Sequence, residues 1–158
     1  MNKVPMTETG YKNLQEELKK LVNKERPEII AAITEARGHG DLSENAEYQY
    51  AKEQQSLIEG KISELENTIA KAEIIDVSKL SGKEIKFGAT VKIEDNKTGE
   101  QSIYQIVGEY ESDIENRKLS INSPLAKGLI GRSNNDVVEI NSPKGIKLYT
   151  VISVKFQQ

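Results

Sequence analysis

The chain has 158 residues, 30% of them charged and 36% hydrophobic, with a formal net charge of −3. It has no cysteine, which excludes disulfides and thiolate metal sites, and a single histidine, which argues against a self-contained zinc centre. No stretch approaches the ~20 apolar residues of a membrane span, and "MNKVPMTETGYKNL" lacks a signal-peptide core, so a soluble, cytoplasmic protein without a membrane partner is expected.

The length allows one domain or two small ones. Charge is unevenly spread: residues 1–76 carry 15 acids and 10 Lys/Arg, and residues 77–158 carry 10 acids and 12 Lys/Arg. A nucleic acid would therefore have to be met by a local basic patch, not by the whole surface.

From Thr7 to Arg37 the apolar residues keep helical spacing, at Leu14, Leu18, Val22, Ile29, Ile33 and Ala36. Thr7 is placed to cap the start. Gly38 is placed to stop the helix in the left-handed conformation. Pro27 is the discord, because inside a helix it removes a hydrogen bond, so a kink or loosened turn is expected near residues 23–27.

A second helical run extends from about Leu42 to Ala72. Ile58, Ile62, Leu65, Ile69 and Ala72 follow a 4-3-4-3 rhythm, the seam of a coiled coil. So few residues separate the two runs that they must fold back as an antiparallel hairpin. Each arm of ~30 residues would be ~45 Å long. Such a hairpin buries little, which accounts for the thin hydrophobic content, and it should project as a finger.

After residue 76 the period changes. Short β-branched segments, "FGATVKI" (87–93), "QSIYQIV" (101–107), "KLSI" (118–121), "DVVEI" (136–140) and "GIKLYTVISVKF" (145–156), alternate with turn signals such as "DNKTGE" and "SPKG". "SPLAKGLIG" (123–131) reads as one short helix with Ser123 as cap, Pro124 in its first turn and Gly131 as stop. The expected class is α+β: a helical hairpin over 1–76 with its tip at 37–46, a linker at 77–83, and a small antiparallel-sheet domain over 84–158.

The tip, "ARGHGDLSENAEY", gathers the chemistry. Asp41 and Glu44 have the spacing of a capping box, and acids in a first turn also suit the helix dipole. The alternative is metal binding. Mg²⁺ is commonly held by only one or two carboxylates, with waters and substrate phosphates completing its shell. Two acids at the end of a finger make half a site, to be completed by another macromolecule. His39, between two glycines, is by default a solvated loop residue. Tyr48 and Tyr50, two apart, cannot both face the partner helix.

"RPEIIAAITEARGHGDLSENAEY", "EQQSLIEGKI", "FGATV" and "INSPLAKGLIG" together resemble the bacterial GreA/GreB transcription elongation factors over almost the whole length. The resemblance implies an N-terminal antiparallel coiled coil joined to an FKBP-like domain. It implies that RNA polymerase is the partner, with the second domain at the rim of the secondary channel and the coiled coil inside it. Asp41 and Glu44 match the family's tip acids, which help hold a second Mg²⁺ in the polymerase active site for cleavage of backtracked RNA. That ion is shared with polymerase and is not bound by the free protein. Two-metal cleavage places the ions about 3.5–4 Å apart, activating water and stabilising transition-state charge. The same resemblance matches Arg37 and Lys52 to a basic patch facing the 3′ end of the nascent RNA. That patch is thinned by Ser43, where other members can carry a base. It matches Ser123, Pro124, Leu125 and Gly128 to a polymerase-facing segment, whose plain alternative is a core helix.

Three rival readings fit parts of the same sequence. A channel-binding regulator that does not support cleavage is disfavoured by retention of both tip acids. A prolyl isomerase would need an aromatic-lined pocket, whereas Phe87, Tyr104, Tyr110, Tyr149 and Phe156 are spread along strands as core residues. A passive coiled-coil adaptor would be insensitive to loss of Asp41 and Glu44. A protein that fills a narrow channel alone is expected to be a monomer.

Overall fold

A computed structural model of the chain describes residues 3–40 and 45–156. They form two compact units, one of Tyr11–Ala72 and one of Lys3–Gly10 with Glu73 onward. Asp41 and Glu44, the two acids of the tip, lie outside the described residues.

The first helix begins as its sequence predicts. Strand β1 (Val4–Thr7) gives way to α1 (Glu8–Lys20), and the Thr7 hydroxyl accepts a 3.0 Å hydrogen bond from the amide of Gly10. That bond satisfies one of the amides a helix N-terminus leaves without a partner. The loosened turn is a π-helical segment, Leu21–Glu25, followed by α2 (Arg26–Arg37) with Pro27 in its first turn. The amide of Arg26 donates to the carbonyl of Leu21, one residue further back than in an α-helix. A wide turn of this kind inserts one residue into the ladder. Pro27 then stands where a helix tolerates a missing amide.

This insertion changes which side chains meet. Leu14, Leu21, Ile33 and Ala36 are buried, while Leu18, Val22 and Ile29, expected in the seam, are only half-buried. Three α-helical turns span about 11 residues, and Leu21 and Ile33 are 12 apart because the wide turn lies between them. On α3 (Ala46–Ala70) the buried face is Ala51, Ile62, Leu65 and Thr68. Thr68 replaces the expected Ile69; it is tolerated there because its hydroxyl donates to the Glu64 carbonyl at 2.9 Å. Arg26 meets Glu59, and the Ala36 carbonyl meets Asn45, so α2 and α3 run antiparallel.

Strand β2 (Ala72–Ile75) pairs with β1, a two-stranded sheet that the short segments VPMT and AEII did not announce. A 3₁₀ turn follows at Val77–Lys79, with Val77 buried.

The second unit contains a five-stranded sheet in the order β5-β4-β3-β7-β6, from β3 (Thr90–Asp95), β4 (Gln101–Val107), β5 (Lys118–Ser120), β6 (Val137–Ser142) and β7 (Gly145–Lys155). All five expected strands are present. The sheet is mixed, not purely antiparallel, because β5 pairs with β4 in parallel register, Ile106 opposite Leu119. Parallel neighbours need a return connection longer than a hairpin turn. Residues 108–117 supply it, with Arg117 in the left-handed conformation just before β5.

Helix α4 (Pro124–Leu129) packs on β6, and its Ala126 and Leu129 are fully buried among Val91, Ile93, Ile106, Val138 and Val151. Among the described residues no helix is long and apolar enough to cross a membrane.

Candidate functional site

The tip is built from the ends of α2 and α3. Helix α2 closes with the amides of Gly38 and His39 donating to the carbonyls of Glu35 and Ala36, both at 3.1 Å. Gly38 stays right-handed, with φ −67° and ψ −11°, contrary to the left-handed stop its position suggests. The positive φ falls two residues later, at Gly40, with φ 109°. The chain thus continues its helical winding through Gly38 and reverses only at the second glycine, where no side chain opposes it.

Helix α3 starts at Ala46, not near Leu42, and its cap is Asn45. The Asn45 side-chain oxygen accepts from the Tyr48 amide at 3.1 Å. Its side-chain nitrogen donates to the Ala36 carbonyl at 2.6 Å. One residue therefore caps the second helix and ties it to the end of the first. The observed cap of α3 is Asn45; Asp41 and Glu44, read from their spacing as a capping box, lie outside the described residues.

Two further pairs bracket the turn. The Arg37 guanidinium lies 5.9 Å from the centroid of the Tyr48 ring, within cation–π range. His39 Nδ1 lies 3.0 Å from a carboxylate oxygen of Glu47, so the histidine is paired and not merely solvated. Tyr48 is half-buried beneath Arg37 whereas Tyr50 is 64% exposed, which decides which tyrosine packs. Lys52 is exposed and donates to Gln55 on its own helix at 3.2 Å.

Sequence reasoning missed Asn45 and Glu47. Asparagine is among the strongest capping residues and stands immediately before an uninterrupted helix-forming run, so the signal for Asn45 was present. It was masked by the acid pair upstream, which has the spacing of a capping box. Among the described residues no cluster of three or more His, Asp or Glu side chains suits a metal ion.

In the second unit, the Ser123 hydroxyl accepts from the Ala126 amide at 3.2 Å and donates to the Ser120 carbonyl at 2.7 Å, as a helix cap. Pro124 is exposed and Leu125 half-buried. A Cβ on Gly128 would come within 2.3 Å of Ile140 Cδ1, so Gly128 is the residue that lets α4 lie against β6. The structure thus gives Ser123 and Gly128 packing roles, and leaves Pro124 on the surface.

Comparison with known proteins places these features in a family. Residues 4–74 match the family model described as "Transcription elongation factor, N-terminal", and residues 80–156 match "Transcription elongation factor, GreA/GreB, C-term". The chain is 56% identical over 156 residues to the transcription elongation factor GreA of Phenylobacterium zucineum, with 99% of each chain covered. It is 57% identical to that of Chelativorans sp., with the same coverage. The crystal structure of GreA factor homolog 1 (Gfh1) of Thermus thermophilus shares 28% identity over 98% of this chain and 99% of that one, with a TM-score of 0.45. The chain belongs to the GreA/GreB family of transcription elongation factors.

Proposed function

We propose that this factor binds RNA polymerase, places its hairpin tip in the secondary channel and stimulates cleavage of the backtracked nascent transcript, so that elongation resumes from a new 3′ end. It is not itself an enzyme in this reading. It works in the cytoplasm, with polymerase, as a monomer.

The observation that carries the reading is the match of residues 4–74 and 80–156 to the two transcription elongation factor family models. Helix initiation accounts for acids in a first turn when nothing else caps the helix. Here Asn45 does so, with bonds to both Tyr48 and Ala36. Asp41 and Glu44 themselves lie outside the described residues. Two carboxylates are too few for a closed site but suit Mg²⁺, which accepts one or two protein carboxylates and takes its remaining oxygens from water and phosphate. When bound, such an ion supplies Lewis-acid stabilisation and a more acidic water. The roles of Asp41 and Glu44 are to provide oxygen ligands and to orient that water. Arg37, braced by Tyr48, and Lys52 offer positive charge to the 3′ segment of the transcript. The exposed Pro124 and half-buried Leu125 are the part of α4 offered to polymerase, and Ser123 and Gly128 shape it.

Replacing Asp41→Asn together with Glu44→Gln tests the assignment. Transcript cleavage should fall roughly 100-fold or more, the order lost when a preorganised charge-stabilising group is removed. Competition with wild-type factor for polymerase should be unchanged. Survival of cleavage would leave the acids without the metal role. A Mg²⁺ titration of the free protein, followed by calorimetry, should show no specific site at millimolar concentration; a tight site would contradict the shared-ion arrangement.

A further inference from the structure

The sheet unit carries a groove of about 520 Å³ to which α4 contributes nothing. One wall is the β3–β4 turn at residues 95–98, and the other is formed by Lys144, Ile146, Lys147 and Leu148. Strand β7 begins at Gly145, but its pairing with β3 begins only at Tyr149, opposite Asp95. Over residues 145–148 the edge of β7 on the β3 side is therefore not covered by a strand. Asn96 closes the inner end. Its amide donates to the Leu148 carbonyl at 2.9 Å, and its side-chain oxygen accepts from the Thr150 hydroxyl at 2.7 Å. Backbone groups of residues two apart in an antiparallel strand point the same way, so those of Ile146 face the groove as the Leu148 carbonyl does.

Side chains alternate in character along this edge. Ile146 and Leu148 are 63% and 44% exposed. Lys147 stands between them on the opposite face, in register with Ile140. Lys97, Lys144 and Lys147 are all exposed, and none is paired with a carboxylate among the described residues. Asp95, the acid that lines the groove, turns its Oδ1 to the amides of Lys97 and Thr98, at 2.8 and 3.3 Å.

We propose that this groove docks an extended segment of a protein partner in which apolar and acidic residues alternate, added as a strand to the open edge of β7. Strands added in this way gain affinity from main-chain hydrogen bonds and specificity from alternate side chains. The apolar residues of the segment lie beside Ile146 and Leu148, and its acids face Lys147, with Lys97 and Lys144 at the rim. Single-stranded nucleic acid fits less well, because no aromatic side chain lines the groove among the described residues and bases need one to stack on. A second copy joined through the same edge would set lysine against lysine. This docking edge is independent of the role given to the hairpin tip.

A synthetic peptide of about ten residues alternating leucine with glutamate is the probe, since alternation puts the leucines on one face of a strand. Titrated into the isotopically labelled full chain, it should shift the amide resonances of residues 95–98 and 145–148 and leave those of α4 in place. Peptides alternating serine with glutamate, or leucine with lysine, should bind at least about 10-fold more weakly. A leucine–glutamate peptide N-methylated along its pairing edge should lose binding to a similar degree, about 10-fold or more. Lys97→Glu with Lys147→Glu should weaken the probe about 10-fold at low salt, and added salt should weaken it on wild type. Ile146→Ser should weaken it as well. These side chains are exposed, so thermal melting should hardly change. Equal affinity for the leucine–lysine or the N-methylated peptide would overturn the proposal, as would no binding of the probe. Tighter binding of an oligouridylate at the same residues would overturn it in favour of nucleic acid. Concentration-dependent dimerisation abolished by Ile146→Ser would overturn it in favour of a second copy.

Discussion

The hairpin and the sheet unit are stabilised by different means, although both come from one moderately hydrophobic chain. Around α4 and the five strands, side chains from every element converge, and Ala89, Val91, Ile106, Ala126, Leu129 and Val151 are all completely buried. The hairpin has a single seam one side chain deep, and Ile30, Tyr50 and Leu57 remain largely in solvent. It compensates with polar contacts at defined points: Asn45 at the tip and the Arg26–Glu59 pair beside the wide turn. A layered core converts buried area into stability. A two-helix hairpin cannot do so to the same extent, and so depends more on local helix signals and cross-links.

Truncating matched leucines should separate the two regimes most strongly. Leu129→Ala in the sheet unit should cost about 3–5 kcal/mol, the upper part of the range for a rigid core that cannot refill the cavity. Leu65→Ala, equally buried in the hairpin, should fall near 2–3 kcal/mol, because two helices can close on a smaller side chain. Urea unfolding read by circular dichroism measures both. Equal costs would mean that the seam is as rigid as the layered core.

The start of α1 offers a sharper probe, since residues 3–10 belong to the sheet unit. The Glu111 carboxylate accepts from the Thr7 amide at 3.0 Å, from the Gly108 amide at 2.9 Å and from the Thr7 hydroxyl, which itself caps α1. A Cβ at Gly10 would overlap Glu111, so the helix start and the 3₁₀ turn at Glu109–Glu111 fit closely. Thr7→Val keeps the shape and removes the hydroxyl. It should cost about 1–2 kcal/mol, the larger end of the range for a cap, whereas Thr7→Ser should be nearly neutral. Thermal melting distinguishes them, and equal losses would assign the effect to packing.

These residues also show what the sequence made readable. Thr7, Ser123 and Pro124 announce their helix starts because capping is local chemistry, and the five strands show through β-branched runs between turn residues. The parts that escaped depend on partners distant in sequence. β1 and β2 are four residues each and gain meaning only by pairing. The direction of β5 is set by the path of residues 108–117. Leu21 replaces Val22, and Thr68 replaces Ile69, because the wide turn ahead of Pro27 shifts the face of one arm against the other. At the tip the acids were legible as candidates. Asn45, the cap of α3, was hidden by their spacing.

The smallest effect concerns the pair at the wide turn itself. Arg26 uses two nitrogens to bond both carboxylate oxygens of Glu59, at 2.7 and 2.8 Å, directly after the π-helical segment. These hydrogen bonds hold Glu59 below its ordinary value of 4.5 and raise Arg26 above its own, so the arginine is charged throughout. A carboxylate whose pKa is lowered by folding adds stability above its unfolded value. That contribution disappears as pH falls through the lower, folded value. Both side chains are substantially exposed, and surface pairs are weakened by salt. Wild type should therefore exceed Glu59→Gln slightly in melting temperature at neutral pH and low salt. The gap should narrow in high salt and close in acid below the folded pKa. A gap that persisted in acid would show that packing of the glutamate stem, rather than its charge, braces the arm where the proline widens it.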